Sequence, residues 1–119
     1  MSNDALEVVQ KFWQIQDDRD YEKLVDIFSD DAVLEDPVYG TFKGKQEIAG
    51  FMAKMNEVMA KIETHFNAIE ISGGGDTAWC QWEAVSPQGK RQGCGLYKVR
   101  DGKMTYYRDY MNAEDEQPV

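Results

Sequence analysis

Three acidic residues occupy sequence contexts that suit acid–base chemistry. Asp36 ends the apolar segment 32–36 and directly precedes Pro37. Proline lacks a backbone N–H and biases the residue before it toward extended geometry, so we expect a strand to end there, with an acid at the mouth of the space it encloses. Glu83 and Asp109 lie in later, aromatic-rich segments. If the three side chains converge, the protein has an acid–base site.

Three carboxyl groups in one apolar space cannot all ionise at low cost. Burial and mutual repulsion both raise the pKa of a carboxyl group, so one group would stay neutral near pH 7 while another remains a base. General acid–base catalysis uses such a pair. We therefore predict that Asp36, Glu83 and Asp109 share one enclosed site.

Each acid also has a structural alternative. Asp36 stands at a turn-like position where acids commonly stabilise the backbone. Glu83 is placed to pair with Arg91 across a surface hairpin. Asp109 is adjacent to Arg108, but neighbours along a strand face opposite sides, which makes an ion pair between these two the weakest alternative.

The first half of the chain predicts three helices and one strand. Apolar residues recur at helical spacing from Asp4 to Asp17, and Asp20 is placed to cap a short helix from Tyr21 to Phe28. A strand follows from Ala32 to Asp36. The third helix spans Lys45 to Ala60 and carries an apolar stripe. Its methionines are predicted to form core or pocket wall: Met52, Met55 and Met59.

The second half predicts an antiparallel meander, because each apolar segment is separated from the next by turn-forming residues. Gly93 and Gly95 are candidate bulge or bend positions. Helices first and strands later give an α+β fold, in which a strongly curved sheet wraps on the helices and forms a cone with a pocket. The predicted strands are Ile62–Ser72, Thr77–Ser86, Arg91–Val99 and Lys103–Asn112.

Side-chain alternation divides the Thr77–Ser86 strand into two different faces. One face is apolar, whereas the other mixes aromatic and polar groups: Trp79, Gln81 and Glu83. A mixed face suits a ligand pocket, where a few polar groups orient an apolar molecule. A solvent face or an aromatic dimer interface is the alternative. In the last strand, Tyr107 and Asp109 share one face.

The composition excludes several classes of partner. A net charge of −9 over 119 residues, without a Lys/Arg cluster, argues against nucleic acid and against anionic membrane surfaces. No apolar stretch has the length of a signal peptide or a membrane span, so a cytoplasmic location is the default expectation. Cys80 and Cys94 are expected to be free thiols, with a disulfide between them as the alternative. The single histidine, His65, argues against a zinc site, and we expect no metal or cofactor.

Taken together, several motifs and their order resemble the NTF2-like cone. These are the segment 30–37 (DDAVLEDP), the segment 44–48 (GKQEI), and residues 101–104 (DGKM) with 107–110 (YRDY). The chain is most similar to the branch that contains SnoaL-like proteins, ketosteroid isomerases and limonene-epoxide hydrolases. The resemblance runs from Leu6 to Asn112. The length suits one domain, which we place at residues 1–112, and the acid-rich residues 113–119 are expected to form a solvated tail.

The resemblance to ketosteroid isomerases implies a catalytic base at Asp36. These isomerases also use a tyrosine on the first helix and a protonated acid on a late strand to stabilise an oxyanion. The corresponding positions hold Phe12 and either Cys94 or Gly95. Both donors are missing, and each is worth on the order of 3 kcal/mol, so a steroid isomerase is not expected.

The other two branches imply roles for Asp109. The epoxide hydrolases place an arginine between two aspartates around a water, and Asp109 and Glu83 match the two acids. Gln81 replaces the arginine, and Asp36 replaces an asparagine that helps to hold the water. The SnoaL-type polyketide cyclases use one acid–base aspartate near the position of Asp109. Of the three chemistries, this one requires the fewest catalytic residues.

The sequence thus predicts a cofactor-free acid–base enzyme that acts on a small apolar carbonyl or cyclic compound. Asp109 would be the principal acid–base group, assisted by Asp36 and Glu83. The predicted pocket residues are Phe12, Trp13, Met55, Trp79, Gln81 and Tyr107. Two alternatives remain: a variant epoxide hydrolase, and a non-catalytic binding or interaction module. The outer sheet face would form a homodimer through Tyr97, Tyr106 and Tyr110.

Overall fold

The fold is a six-stranded, curved sheet with three helices packed on one face. The computed structural model describes residues 4–18 and 20–111, so Asn112 and the predicted tail at 113–119 lie outside the described residues. The elements are α1 (Asp4–Asp17), α2 (Tyr21–Leu24), a 3₁₀ turn (Val25–Ile27), β1 (Phe28–Asp36), β2 (Gly40–Lys43), α3 (Lys45–Lys61), β3 (His65–Gly74), β4 (Thr77–Ser86), β5 (Gly89–Arg100) and β6 (Lys103–Met111).

The strand order is β2-β1-β6-β5-β4-β3, and every neighbouring pair is antiparallel except β1 with β6. The parallel pairing places the end of β1 beside β6, with Leu34 opposite Tyr107 and Glu35 opposite Arg108. The acid that ends β1 is thereby brought close to the acid on β6. The predicted α+β class and the helices-first order are confirmed.

The region between the first two helices and the sheet differs from the prediction. The second helix ends at Leu24, and β1 begins at Phe28, four residues before the predicted start of the strand. Asp20 precedes α2 but makes no side-chain cap; its Oδ2 lies 3.4 Å from Nζ of Lys23. Strand β2 was not predicted, because a four-residue edge strand at the rim carries little apolar pattern.

The inner face of β4 is the apolar one. The prediction that the mixed aromatic and polar face lines the pocket is therefore wrong. Cys80 and Trp82 are buried against the helices, whereas Trp79 is 48% exposed on the outside. Tyr97 was placed on the outer face but is fully buried, because it lies opposite Tyr107 on the helix side of the sheet. The apolar face of the strand packs against the helices, so the mixed face is exposed to solvent.

Gly93 and Gly95 provide space for neighbouring side chains and do not form bulges. The β4–β5 register runs without a shift, and the shifts occur elsewhere in the sheet. A Cβ on Gly93 would lie 2.8 Å from Cε2 of Trp82, and one on Gly95 would lie 2.7 Å from Cζ of Tyr97. The two glycines therefore let large aromatic rings lie flat on the inner face of β5.

Two further observations concern the composition. The structure has two free cysteines, of which Cys80 is buried, and burial raises the pKa of its thiol to about 12. Such a thiol is unreactive near neutral pH. None of the helices in the described part of the chain is long and apolar enough to cross a membrane.

Candidate functional site

Asp109 is the most strongly perturbed carboxyl group of the site. It lies on the inner face of β6, where Oδ2 accepts a hydrogen bond from Oη of Tyr107 at 2.8 Å and Oδ1 accepts one from Nε1 of Trp82 at 3.2 Å. Burial raises the pKa of Asp109 to about 7, and the Asp36 charge also raises it, while the two hydrogen bonds lower it. The group can therefore donate or accept a proton near neutral pH.

Aromatic side chains connect α1 to Asp109. Nε1 of Trp13 donates a hydrogen bond to Oη of Tyr97 at 3.0 Å, and the Tyr97 ring packs 4.7 Å from that of Tyr107, measured between centroids. Burial raises the pKa of both tyrosines well above the ordinary value. Both hydroxyls therefore remain protonated, and Tyr107 remains a donor to Asp109.

Asp36 lies at the end of β1. It fulfils both of the roles that the sequence left open, because it stabilises a turn and also faces the cavity. Its Oδ1 accepts hydrogen bonds from the backbone N–H groups of Val38 at 2.8 Å and Tyr39 at 3.0 Å. Such a turn is a common use of Asp. The same residue lines the cavity together with Asp109. Proline after Asp36 ends the strand, so the carboxylate is fixed at the rim.

The cavity between the sheet and the helices has two small chambers. The outer chamber is about 80 Å³ and the inner chamber about 70 Å³. Asp36 and Asp109 lie at their junction, since each lines both chambers. Three apolar residues share that junction: Met55, Phe66 and Trp82. The inner chamber is mainly aromatic, and it is lined by the predicted pocket residues Phe12, Trp13 and Tyr107.

The outer chamber carries two polar groups that the sequence analysis missed. Tyr39 lines it, and its hydroxyl is buried without a hydrogen-bond partner among residues 4–18 and 20–111. Arg91 also lines it, from the β5 position that pairs with Ala84. The predicted surface ion pair between Arg91 and Glu83 is not formed, because the two side chains belong to opposite faces of the sheet.

Three predicted site residues lie away from the cavity. Glu83, Trp79 and Gln81 belong to the outer face of β4, and the latter two line a shallow groove on that side. The three-carboxylate site is therefore wrong as a geometric prediction, since the structure brings together only Asp36 and Asp109. The signal that could have given the correct face is the apolar run of β4, which includes Trp82.

Asp109 is not paired with its neighbour Arg108. The Arg108 guanidinium lies on the outer face, where Nη1 is 3.2 Å from Oε2 of Glu35 and the guanidinium carbon lies 4.9 Å from the Tyr110 ring centroid. Tyr106 also donates to Glu35, and these hydrogen bonds lower the pKa of that carboxyl. The cation next to Asp109 in sequence is thus engaged on the opposite side of the sheet.

The described part of the chain offers no obvious metal ligand set. No group of three or more His, Cys, Asp or Glu side chains is arranged there to hold a metal ion. The single histidine, His65, lies at the surface with Nε2 3.1 Å from Oδ1 of Asp17.

Comparison with known proteins identifies the family. Residues 9–107 match the SnoaL-like domain, so the chain belongs to this family. No curated protein sequence matches it. The fold is similar to that of an NTF2-like protein of unknown function from Mesorhizobium loti, with 20% identity, a TM-score of 0.78 and coverage of 92% of each chain.

Two further solved structures share the fold. A protein with a ketosteroid isomerase-like fold from Catenulispora acidiphila, in complex with trimethylamine, has 17% identity and a TM-score of 0.73, covering 92% of this chain and 88% of the other. A computationally designed 17-OHP binder has 23% identity and a TM-score of 0.74, covering 94% and 96%. These likenesses confirm the predicted NTF2-like cone.

Proposed function

We propose that this protein is a cofactor-free acid–base enzyme that moves a proton on a small, mostly apolar carbonyl compound, with Asp109 as the acid–base group. The observation that carries this proposal is the position of Asp109 at the junction of the two chambers, with a pKa of about 7. A pKa near the working pH is what proton transfer in both directions requires.

The mechanism follows from the groups around Asp109. The ionised carboxylate removes a proton from the carbon next to a substrate carbonyl, and the electron pair of the broken C–H bond moves toward the carbonyl oxygen. The neutral acid then returns the proton to the substrate and restores the carboxylate. Hydrogen bonds from Tyr107 and Trp82 hold both carboxyl oxygens, so the group keeps one orientation through the cycle.

The size of the chambers supports a small substrate. Chambers of about 80 and 70 Å³ are well below the roughly 300–1,000 Å³ of pockets for drug-sized ligands. A single ring with one or two substituents matches this space better than a steroid. Met55 and Met59 form part of the wall, and methionine side chains adapt easily to a larger ring.

The epoxide hydrolase alternative loses its support. It requires two acids around one water, and Glu83, which matched the second acid, lies on the outer face of β4. Gln81 is exposed on the same face. Asp36 is the acid that lines the cavity together with Asp109, and its Oδ1 already accepts hydrogen bonds from two backbone amides.

A binding protein without catalysis remains the second candidate. Both oxygens of Asp109 accept hydrogen bonds from the protein itself, which is compatible with a carboxyl that only lines a pocket. The similar fold of a designed 17-OHP binder supports this candidate, since such a cone can serve for binding. Turnover separates the two candidates, because binding alone moves no proton.

The test is hydrogen–deuterium exchange at the carbons next to the carbonyl of cyclohexanone in D₂O, followed by proton NMR. The wild-type protein is expected to accelerate exchange over buffer, and Asp109→Asn to lose that acceleration by roughly 10²–10⁴-fold. Glu83→Gln is the matched control, because it neutralises an acid on the outer face and should exchange at the wild-type rate. Equal rates for wild type and Asp109→Asn would remove the enzyme proposal.

A further inference from the structure

Arg91 supplies positive charge to the cavity from β5. It pairs with Ala84, which is buried on the inner face of β4, and its side chain lines the outer chamber. The residues on either side of it, Lys90 and Gln92, are exposed, as strand alternation requires. Among residues 4–18 and 20–111, no other Lys or Arg lines either chamber. The outer chamber therefore has one cationic wall.

The guanidinium of Arg91 is unpaired and can be reached. It forms no ion pair or hydrogen bond with any residue of the described part of the chain. None of its nitrogens belongs to the fully covered polar atoms, and the residue as a whole is only half-buried. A molecule in the outer chamber can therefore accept hydrogen bonds from the planar fork of N–H donors that arginine carries.

Arg91 and Asp109 lie on the same face of the sheet but do not pair with each other. Asp109 is opposite Gly95 on β5, and Arg91 is four residues from Gly95, which corresponds to about 13 Å at the rise of a strand. No ion pair joins the two side chains among the described residues. Both line the outer chamber, so one small molecule can contact the acid and the cation at its two ends.

Trp82 forms the wall between these two groups. Its indole covers Gly93, which lies between Arg91 and the level of Asp109, and a Cβ on Gly93 would be 2.8 Å from Cε2 of the ring. Nε1 of the same ring donates to Oδ1 of Asp109, and the ring lines both chambers. This surface suits the apolar carbons of a molecule that extends from Arg91 to Asp109.

The charges of the cavity favour a carboxylate over other anions at Arg91. A carboxylate matches the guanidinium with two parallel hydrogen bonds. A phosphate carries further negative charge, which Asp36 and Asp109 would oppose, since both line the same chamber. The net charge of −9 does not steer anions toward the protein, so recognition depends on the close contact with Arg91.

We propose that Arg91 binds a carboxylate group of the substrate, so that the substrate class of this cavity is a small keto acid. The inference rests on the proposed function and extends it. The carboxylate lies in the outer chamber at Arg91, the apolar carbons pack against Trp82, and the carbon next to the ketone lies at Asp109. Arg91 takes part in binding, whereas the proton moves between Asp109 and that carbon.

The experiment compares two ketones of nearly equal shape, 4-oxocyclohexanecarboxylate and 4-oxocyclohexanecarboxamide, of which only the first is charged. Binding is measured by NMR titration of the indole N–H of Trp82. Wild type is expected to bind the carboxylate about tenfold more tightly than the amide, as one charge-assisted pair implies. Arg91→Gln should abolish this preference. Lys90→Gln is the matched control, because it removes the same charge from the exposed neighbour and should keep the preference.

Arg91→Lys gives a second readout, since it retains the charge but loses the planar fork, and it should keep only part of the preference. Equal affinity of wild type for the two ketones, or an unchanged preference in Arg91→Gln, overturns the proposal. Failure of the proposed function is distinguishable. Asp109→Asn should lose hydrogen–deuterium exchange but keep the carboxylate preference, whereas Arg91→Gln should still exchange the protons of cyclohexanone at the wild-type rate.

Discussion

Oη of Tyr107 donates a hydrogen bond of 2.8 Å to Oδ2 of Asp109, two residues further along the same strand. The alternation of β6 places both side chains on the inner face, where burial opposes ionisation of the acid and the hydrogen bond favours it. The pKa of about 7 is therefore a balance between opposing effects. Changing either side of that balance should move the pKa in a direction that can be stated in advance.

Tyr107→Phe removes one of the two donors to Asp109 and leaves the ring in place. The donor favours the ionised carboxylate, so its loss should raise the pKa of Asp109 by roughly one unit above its wild-type value. Carbon-13 NMR titration of the aspartate carboxyl groups measures this shift. Tyr106→Phe is the control, since Tyr106 donates to Glu35 on the outer face. A downward shift in Tyr107→Phe would contradict the assignment.

The raised pKa of Asp109 also predicts how stability depends on pH. Between its ordinary value of 3.8 and about 7, the folded protein holds a proton that the unfolded chain has released. The contribution of Asp109 to the free energy of unfolding therefore falls as pH rises through this window, by up to about 4 kcal/mol, and is constant above it.

Asp109→Asn isolates this contribution, because an amide does not titrate in the window. Its stability relative to wild type should increase between pH 4 and pH 8, as measured by urea unfolding at each pH. Glu83→Gln serves as the comparison, since this acid lies on the outer face of β4. A difference between wild type and Asp109→Asn that does not change with pH would show that Asp109 is not buried as described.

Gly93→Ala tests the space that β5 leaves for the Trp82 indole. The new Cβ would lie 2.8 Å from Cε2 of Trp82 and 2.7 Å from the backbone oxygen of Tyr110, so the indole must shift, and we expect its hydrogen bond to Asp109 to break. The cost should be about 1–3 kcal/mol of unfolding free energy, as for other overpacked cores. In addition, the pKa of Asp109 should rise because a donor is lost.

Gly50→Ala is the matched control for this substitution. Gly50 is exposed within α3, and a Cβ there would meet nothing within 4 Å. Alanine is favoured over glycine inside a helix, so the variant should gain about 0.5–1 kcal/mol. Urea unfolding of both variants gives the comparison, and a gain in Gly93→Ala would refute the packing argument.

The sequence was most informative where local chemistry determines the structure. Proline after Asp36 marks the end of β1, and alternation along β6 places Tyr107 and Asp109 on one face. The helix stripes and the turn residues gave the order of the elements. These features depend on neighbours within a few residues of the chain, and a sequence shows such neighbours directly.

The parts that were missed depend on contacts between distant segments. Alternation separates Trp82 from Glu83, and the apolar run that includes Trp82 is the local signal for the inner face, but it is contact with α1 that makes this face the inner one. Tyr97 was assigned to the wrong face for the same reason. The unpartnered hydroxyl of Tyr39 follows from the enclosure of a turn by α3, where Phe51 contacts its ring. No spacing rule within the sequence expresses such enclosure.

The outer face of the sheet leads to a prediction about assembly. Trp79 and Tyr110 line the groove on this face and are each 48% exposed, as is Ile69 at the register shift in β3; these are the large apolar side chains open to solvent in the described part of the chain. Exposed apolar patches often mark protein interfaces, and the two aromatic residues are of the type enriched there. We therefore expect a homodimer through this face. Trp79 and Tyr110 would contribute to the interface, whereas Tyr97, which the sequence analysis assigned to it, is buried inside the protein.

Trp79→Glu should weaken this dimer, because it removes the largest exposed ring and places an acid on each copy of a chain that is already acidic. Loss of one central aromatic contact lowers association by about 10- to 100-fold. Sedimentation velocity at micromolar concentration should show a dimer for wild type and a monomer for Trp79→Glu. Gln88→Glu, in the turn between β4 and β5, adds the same charge away from the patch and should remain dimeric. A monomeric wild type would refute this interface, whereas the cavity and its proposed chemistry lie on the other face of the sheet and would be unaffected.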